Sequence, residues 1–306
     1  MNKLNSDIRD IFFDNIKKKF LKNKKYFLLT NDADVYSLKS LRKSNRFIDT
    51  GVAEQNLINI ASGLAKCDRY PIVYGFCTFL TFRCYEQLKF NVGSHNLNVK
   101  IIGIGPGYSF SYDGPTHHGI QDLYLMYLIP EFEIINISDN NLANIVSQNI
   151  NKLSGPIYIR LEKGALNYNL NIKYNLKKGF ELTVRSKNKK ILIITTGLFC
   201  KTANLNANKF NNVSVINFFK FKNYDKQKFL NEIKKYKNIL IYDESSKSGG
   251  ISPILSKLIL QKQIKSKIYF LTSEDSQSFF YTQNRNDYYR YLNIDDKSLY
   301  NLIKSI

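Results

Sequence analysis

Apolar runs and amphipathic stretches alternate along nearly the whole chain. Short apolar runs in the first half predict strands at residues 26–30, 71–76, 99–104, 133–138 and 156–161. Apolar positions at helical spacing predict helices near the N-terminus, over about 53–66, 78–91 and 140–152, and from about 120. Near-continuous apolar strands that alternate with helices are typical of a parallel sheet covered by helices on both faces.

The second half repeats this alternation after a polar, basic segment. Strands are predicted at 190–197, 213–218, 238–244 and 267–271, and helices near 200–208, 224–237, 251–260 and from about 296. Residues 166–188 are weakly periodic and predict a linker. The pattern therefore predicts an α/β chain with two parallel-sheet domains, residues 1–165 and 189–306.

Composition supports packed domains and excludes several classes of protein. The chain has 306 residues, 43% of them apolar, which excludes disorder and suits about two domains. No run reaches the roughly 18 apolar residues of a membrane span, and the N-terminus lacks the apolar stretch of a signal peptide. We therefore expect a cytoplasmic protein that binds no membrane. The four cysteines form no CxxC pair, which favours free thiols, and we expect no metal site in this chain.

The formal net charge of +20 permits several functions. Lysine and arginine neutralise phosphates, so the charge is compatible with nucleic-acid binding. It is equally compatible with a lysine-rich background spread over solvated faces, or with attraction of small anionic substrates. The charge alone does not choose between these interpretations.

Three motifs carry the candidate chemistry. The loop DGPTHHG (Asp113–Gly119) follows a predicted strand, where ligands of parallel sheets bind, although an ordinary turn would also explain it. Glu54 opens a helix in GVAEQN, which suits a functional acid and equally an acid stabilised by the helix dipole. Phe76 and Phe79, three residues apart, would form an aromatic wall for a flat ring, or pack in the core.

Taken together, these motifs resemble the transketolase family of thiamine-diphosphate enzymes. The resemblance of the first domain to the family's pyrimidine-binding domain rests on GVAEQN, on F-x-x-F followed by R-x-Y-E-Q, and on DGPTHHG. ADV and IYIRLEKG agree less specifically. In the second domain, IITTG, VINFFKFKNYD and IYDESSKSGGI resemble the family's C-terminal domain.

The resemblance leaves out one part of the family's pattern. The Gly-Asp-Gly…Asn motif that holds the diphosphate and Mg²⁺ is absent from the sequence. The resemblance thus implies the C-terminal half of a split transketolase, which needs a separate N-terminal subunit that provides most of the Mg²⁺ site. A two-plus-two heterotetramer, self-associating through this half, is the family expectation.

The resemblance also implies roles for residues around the cofactor. Glu54 matches the family's catalytic glutamate, whose carboxyl group would hydrogen-bond the aminopyrimidine ring. Phe76 and Phe79 would sandwich that ring, and Arg83 would support their helix. Asp34 would lie near the entrance for cofactor and substrate.

A second set of residues is expected to bind a sugar or sugar-phosphate substrate. His117 matches a histidine that hydrogen-bonds ketose hydroxyls and assists proton transfer, with Asp113 and His118 beside it. Arg160 matches an arginine that binds substrate phosphate. Many family members carry a further phosphate-binding histidine where this chain has Gly105, so the substrate either lacks a terminal phosphate or is held differently.

Three other functions remain open at this point. A 1-deoxyxylulose-5-phosphate synthase-like subunit would share GVAEQ and DGPTHHG, and a 2-oxo-acid dehydrogenase β-subunit would share the architecture but not DGPTHHG. A non-catalytic protein, binding nucleic acid for example, would keep the fold. Glu54, His117 and the two phenylalanines oppose that last alternative, because binding phosphate needs none of them. The leading prediction is transfer of a two-carbon ketol unit from a ketose to an aldose.

Overall fold

A computed structural model describes residues 6–170, 172–274 and 284–306. The chain forms two compact units. The first contains the described residues up to Pro106 together with Leu125–Asn169, and the second contains Gly107–Tyr124 together with the described residues from Leu170 onwards. No helix in these described residues is long and apolar enough to cross a membrane.

Most helices and strands lie where the sequence pattern predicts them, but the strand Phe47–Asp49 and the helix Arg285–Tyr291 were not predicted. The α-helices of the described residues are α1 (Ile8–Lys22), α2 (Glu54–Lys66), α3 (Cys77–Phe82), α4 (Tyr85–Gln87), α5 (Asp122–Tyr127), α6 (Asn140–Gln148), α7 (Phe199–Ala207), α8 (Lys226–Ile233), α9 (Ile251–Gln261), α10 (Arg285–Tyr291) and α11 (Asp296–Ser305). The strands are β1 (Tyr26–Thr30), β2 (Phe47–Asp49), β3 (Tyr70–Phe76), β4 (Lys100–Ile104), β5 (Glu133–Asn136), β6 (Ile157–Leu161), β7 (Phe180–Val184), β8 (Ile191–Thr195), β9 (Val213–Phe218), β10 (Asn238–Ser246) and β11 (Lys267–Ser273).

The predicted helix over residues 78–91 is broken into pieces. It consists of α3, the single turn α4 and a π-helical segment, Leu88–Gly93. At the end of α3, the Thr81 hydroxyl donates to the Cys77 carbonyl at 2.7 Å. Such a bond to the preceding turn bends helices, and the β-branched and aromatic residues of α3 favour a helix only weakly.

The first unit contains a six-stranded sheet in which every strand pair is parallel. Its strand order is β2-β1-β3-β4-β6-β5. From β1, the chain adds β2 on one side and β3 on the other, which makes β1 a point where strand order changes direction. Ligands of open parallel sheets bind beyond the carboxyl ends of the strands at such a point. A ligand site is therefore expected at the segments that follow β1, β2 and β3.

The second unit contains a five-stranded sheet in the order β11-β10-β8-β9-β7. Four strands are parallel, and β7 runs antiparallel to β9 at the edge. Since β7 lies within the predicted linker 166–188, part of that segment joins the second sheet. An antiparallel edge strand on a parallel sheet is common in α/β proteins. The predicted domain limits at 165 and 189 remain a prediction.

The core of the second unit includes residues from the middle of the chain. Tyr108 and Ile120 are buried against Ile193, Val215 and Leu240 of its sheet. The segment with the DGPTHHG loop is thus built into the core that the C-terminal strands form. The cysteines are free thiols, as predicted, with Cys67 exposed and the other three buried.

A buried lysine supplies a test of the first unit. The ammonium group of Lys100 donates to Asn98 Oδ1 at 2.6 Å and to the carbonyls of Leu153 and Gly155 at 2.5 and 2.8 Å. Burial lowers the pKa of Lys100 to about 7, from an ordinary value of 10.5. Between these two pH values the unfolded chain binds more protons than the folded chain, so the free energy of unfolding contributed by this group rises with pH.

Denaturant unfolding of Lys100→Met should reveal this dependence. The difference in unfolding free energy between the wild-type chain and the variant should shift in favour of the wild type as the pH is raised from about 7.5 to about 9.5. Exposed Lys24, replaced by Met, is the matched control and should give a constant difference. Parallel curves for wild type and Lys100→Met would contradict the prediction.

Candidate active site

Glu54 stands at the start of α2, directly after a tightly fixed loop. The Asp49 carboxylate at the end of β2 accepts hydrogen bonds from the backbone N–H groups of Gly51 and Asp32, at 3.1 and 3.0 Å. Gly51 adopts a positive φ of 62°, which glycine allows without strain. The loop returns the chain towards the sheet, so the Glu54 side chain is only 4% exposed.

Two side chains bind the buried Glu54 carboxylate. Asn31, the first residue after β1, donates from Nδ2 to Oε1 at 2.9 Å. Arg83, which follows α3, lies 3.4 Å from Oε2, and its guanidinium stacks 4.2 Å from the ring centroid of Phe79. Arg83 is half exposed, whereas Glu54 is enclosed. The chain segments that follow β1, β2 and β3 thus contribute Asn31, Glu54 and Arg83, respectively, to this cluster.

Asn31 is a residue of the cluster that sequence analysis missed. Its Oδ1 is buried without a hydrogen-bond partner among the described residues. A Cβ added to Gly75 would lie 2.2 Å from this oxygen, so only glycine at position 75 leaves room for Asn31. The available signal was a polar residue immediately after the apolar run of β1. An acceptor without a partner, beside a buried carboxylate, is suited to a ligand that donates hydrogen bonds.

Phe76 and Phe79 form a wall next to this cluster, but in a geometry different from the expected sandwich. Their ring centroids are 5.5 Å apart and the ring planes are inclined by 58°. Two rings in such direct contact leave no gap for a third ring between them. A flat ligand would therefore pack against one face of the pair.

Asp34 and Arg160 lie in different surroundings. Asp34 is exposed and pairs with Arg42 at 3.2 Å and with Lys39 at 3.8 Å. Arg160 lies within β6 and is 2% exposed. A substrate phosphate would reach Arg160 only after the groups covering it had moved. Its expected role in phosphate binding stays a prediction, as does the position of Asp34 near an entrance.

The DGPTHHG motif lies in a closed loop of the second unit. Gly107 and Gly119 exchange two backbone hydrogen bonds, at 2.7 and 2.8 Å. Between them, Gly114 adopts a φ of 77° and separates two short 3₁₀ turns. Asp113 is exposed and His117 is half-buried, with His117 Nδ1 3.0 Å from the hydroxyl of Thr116. Asp113 and His117, two of the predicted substrate-binding residues, therefore stand on the outer part of the loop.

His118 lies on the inner side of the same loop. Its ring meets those of Tyr108 and Tyr288 edge-on, each at a centroid distance of 4.9 Å. The side chain is 3% exposed, and burial lowers the pKa of His118 to about 4. Although His118 was expected to bind substrate with His117, the structure encloses it between two tyrosines. Adjacent residues in a turn point in different directions, and the motif did not show which histidine faces inward.

Family comparisons agree with both units. The sequence profile described as "Transketolase, pyrimidine binding domain" matches residues 13–169, just over half of the chain. The profile "Transketolase, C-terminal domain" matches residues 181–284.

The chain belongs to the transketolase family. Its pyrimidine-binding domain implies dependence on thiamine diphosphate. The expected α/β fold and the expected order of the two domains are thereby confirmed. Within this transketolase-family chain, Glu54, Phe76 and Phe79 lie in the range of the pyrimidine-binding profile.

This chain is similar to transketolase subunits and to 1-deoxy-D-xylulose-5-phosphate synthases. A protein named as one subunit of apulose-4-phosphate transketolase, from Actinobacillus succinogenes, is 30% identical over 222 residues, covering 71% of each chain. A 1-deoxy-D-xylulose-5-phosphate synthase from Psychromonas ingrahamii is 25% identical over 261 residues, which are 85% of this chain but 41% of the relative. A solved structure described as "Split gene transketolase, inactive beta4 tetramer" shares the fold with a TM-score of 0.82 at 20% identity, covering 98% of this chain and 97% of that one.

The titration of His118 can be measured directly. In a chain labelled with ¹³C-histidine, one imidazole resonance should keep the shift of the neutral ring down to about pH 5, with a midpoint of about 4. The physical reason is that apolar burial disfavours the charged imidazolium. The resonance should vanish in His118→Gln and persist in His95→Gln and His117→Gln. A midpoint above about 6 for the His118 signal, close to that of an exposed imidazole, would contradict the buried geometry.

Proposed function

We propose that this chain is the C-terminal subunit of a split transketolase, which transfers a two-carbon ketol unit from a ketose to an aldose. The match to a relative named as a transketolase subunit, over 71% of its length, supports the subunit assignment. The presence of the pyrimidine-binding and C-terminal domains, in that order, supports the reaction class. The partner would be an N-terminal subunit that binds the diphosphate of the cofactor.

The observation that carries this proposal is the buried Glu54 carboxylate beside an aromatic wall. A carboxylate that is 4% exposed, with an amide and a guanidinium as partners, is costly to bury and needs a reason. Its neighbour Asn31 presents an oxygen without a partner among the described residues. These groups fit an aminopyrimidine, which has a ring nitrogen for the carboxyl group, an amino group for the oxygen, and an apolar face for the wall.

The chain's residues would bind and orient the cofactor. When bound, thiamine diphosphate supplies the carbanion-stabilising chemistry of ketol transfer. Glu54 would hold a proton shared with the ring nitrogen, and the 3.4 Å contact with Arg83 would fix the direction of the carboxylate. Phe76 and Phe79 would exclude water from the ring face. Proton sharing requires a carboxyl group, because an amide in its place gives up no proton.

The loop residues would act on the sugar. His117 would hydrogen-bond the hydroxyls of the ketose and move a proton, a kind of assistance that contributes typically about 10²–10⁴-fold. Asp113, exposed beside it, would accept hydrogen bonds from further hydroxyls. Arg160 would bind an anionic end of the substrate, and Asp34 would lie near the entrance. Together, these groups are suited to a sugar or a sugar phosphate as substrate.

The assembly would supply the groups that this chain does not provide. The described residues contain no cluster of three or more His, Cys, Asp or Glu side chains that could hold a metal ion. In the proposal, Mg²⁺ is bound mainly by the partner subunit. Two copies of this chain would associate with two N-terminal subunits. The similar fold solved as a tetramer supports self-association of this half.

A synthase of 1-deoxy-D-xylulose 5-phosphate is the second candidate, and it shares the cofactor. The match to such a synthase over 85% of this chain favours it. The two reactions are separated by their products. A synthase of this class releases CO₂ from a 2-oxo acid. Ketol transfer converts one ketose and one aldose into another ketose and aldose, and no CO₂ is released.

Reconstitution tests the subunit assignment. The isolated chain should show no ketol transfer, since the diphosphate site lies on the partner. Mixing with a diphosphate-domain subunit, thiamine diphosphate and Mg²⁺ should give ketol transfer in a coupled assay with a panel of ketoses and aldoses. Full activity of the chain alone would refute the split enzyme, and CO₂ release from a 2-oxo acid would instead support the synthase.

The Glu54→Gln variant tests the role of the buried carboxyl group. Turnover of the reconstituted enzyme should fall at least about 10²-fold, the scale of lost proton-transfer assistance, while subunit assembly measured by gel filtration stays intact. Glu131→Gln, at an exposed glutamate outside the motifs, is the matched control and should keep normal turnover. Near-normal turnover of Glu54→Gln would reduce Glu54 to an acid at a helix terminus.

A further inference from the structure

The loop with His117 is fixed at its base by a carboxylate of the C-terminal strands. Glu244, in β10, accepts a hydrogen bond from the backbone N–H of Tyr108 at 2.9 Å. Tyr108 directly follows Gly107, the residue that closes the loop with Gly119. A Cβ on Gly107 would lie 2.0 Å from Glu244 Cδ, so the carboxylate packs directly on the bare backbone. Loop and carboxylate belong to the same unit.

Glu244 is itself held on its other side by helix α10. Arg285 donates from Nε to Oε1 at 2.7 Å and from Nη2 to Oε2 at 2.5 Å, a two-point ion pair. The Tyr289 hydroxyl donates to Oε1 at 2.7 Å. Burial alone would raise the pKa of Glu244, but the charge of Arg285 and these hydrogen bonds lower it overall. The carboxylate is therefore ionised at neutral pH, and its acceptor positions are directed at fixed donors.

The other end of the loop rests on the same strand end. Ser246 N–H donates to the carbonyl of Ile120 at 2.9 Å, and Tyr124 N–H donates to the carbonyl of Gly249 at 3.0 Å. A Cβ on Gly249 would lie 2.5 Å from that Ile120 carbonyl oxygen. The DESSKSGG segment of the second domain thus holds both ends of the loop, and the tip with Asp113 and His117 extends beyond these contacts.

We propose that Glu244 is a positioning residue, which sets the location of His117 and Asp113 by holding the base of their loop through Tyr108. That Glu244 fixes the loop follows from the geometry alone; that this affects turnover of the sugar rests on the proposed function. A displacement of about 1 Å in a catalytic group costs up to about 10²-fold in rate. Glu244 holds a loop of the second unit, whereas Glu54 and its two partners belong to the first. The effect of Glu244 should therefore fall on the sugar and not on the cofactor.

Amide hydrogen exchange tests the structural part in the full chain. In Glu244→Ala, the peptide that covers residues 107–119 should exchange at least about tenfold faster, because the hydrogen bond from Tyr108 N–H is lost together with the packing of the carboxylate on Gly107. Tyr289→Phe, which removes a single hydroxyl, should give a smaller increase of roughly threefold. Glu232→Ala is the matched control, since Glu232 also binds a lysine and a tyrosine but lies on α8.

Three results of this experiment would overturn the inference: unchanged loop exchange in folded Glu244→Ala, an equal increase in the control, or no increase in Tyr289→Phe if Glu244→Ala fails to fold. Hydrogen exchange is measured without substrate, cofactor or partner, so it tests the structural role of Glu244 independently of activity. If the reconstituted wild type transfers no ketol unit, the proposed function is refuted, but the result for Glu244 still stands.

Kinetics of the reconstituted enzyme test the catalytic consequence. Glu244→Ala should lower kcat/KM for the ketose by about 10- to 100-fold, with the affinity for thiamine diphosphate within about twofold of wild type. In an enzyme that already carries His117→Ala, adding Glu244→Ala should lower kcat/KM for the ketose by less than about threefold. The reason is that both substitutions remove the same interaction, that of His117 with the ketose. Full additivity of the two losses, or an equal loss of cofactor affinity, would show a general structural role and overturn the positioning role.

Discussion

Burying a carboxyl group is costly unless a cation and hydrogen-bond donors compensate it, and the two chemical regions of this chain are each built around one buried carboxyl group. Glu54 is compensated by Asn31 and, at longer range, by half-exposed Arg83. Glu244 is compensated fully, by Arg285, Tyr289 and a backbone N–H. The difference matters physically. A carboxylate with complete partners is a fixed support, whereas one with incomplete partners retains capacity for a ligand.

Regular elements were predictable because burial alone dictates them. The strands β1 and β9 have the limits that were predicted from their apolar residues, 26–30 and 213–218. Strand β10 continues past the predicted residue 244 to Ser246, because its polar end is buried as well. By contrast, β7 is buried mainly at one end and has a polar sequence around it, so its pairing with β9 depends on a neighbour distant in sequence. The break after α3 depends on a hydroxyl that bonds the preceding turn, which no periodicity reveals.

The candidate site was predictable where motifs name residues, and less so where tertiary packing chooses among them. Glu54 could be located from GVAEQN. Its partner Asn31 could not, because only the fold brings the residue after β1 next to the start of α2. DGPTHHG identified the loop, yet the packing of Tyr108 and Tyr288 decides that His118 is enclosed and His117 is not. The family profile assigns this loop to the first domain, while its contacts lie in the second unit.

The base of the DGPTHHG loop is held by main-chain atoms, whereas the side chains that would contact a ligand lie at its tip. Gly107 and Gly119 join through main-chain atoms only, and the carboxylate of Glu244 also binds a main-chain N–H. None of these bonds depends on which side chains occupy the tip from residue 111 to residue 117. Apart from Gly114, whose φ is 77°, tip residues such as Asp113 and His117 can therefore be exchanged while the hydrogen bonds that hold the loop base are kept.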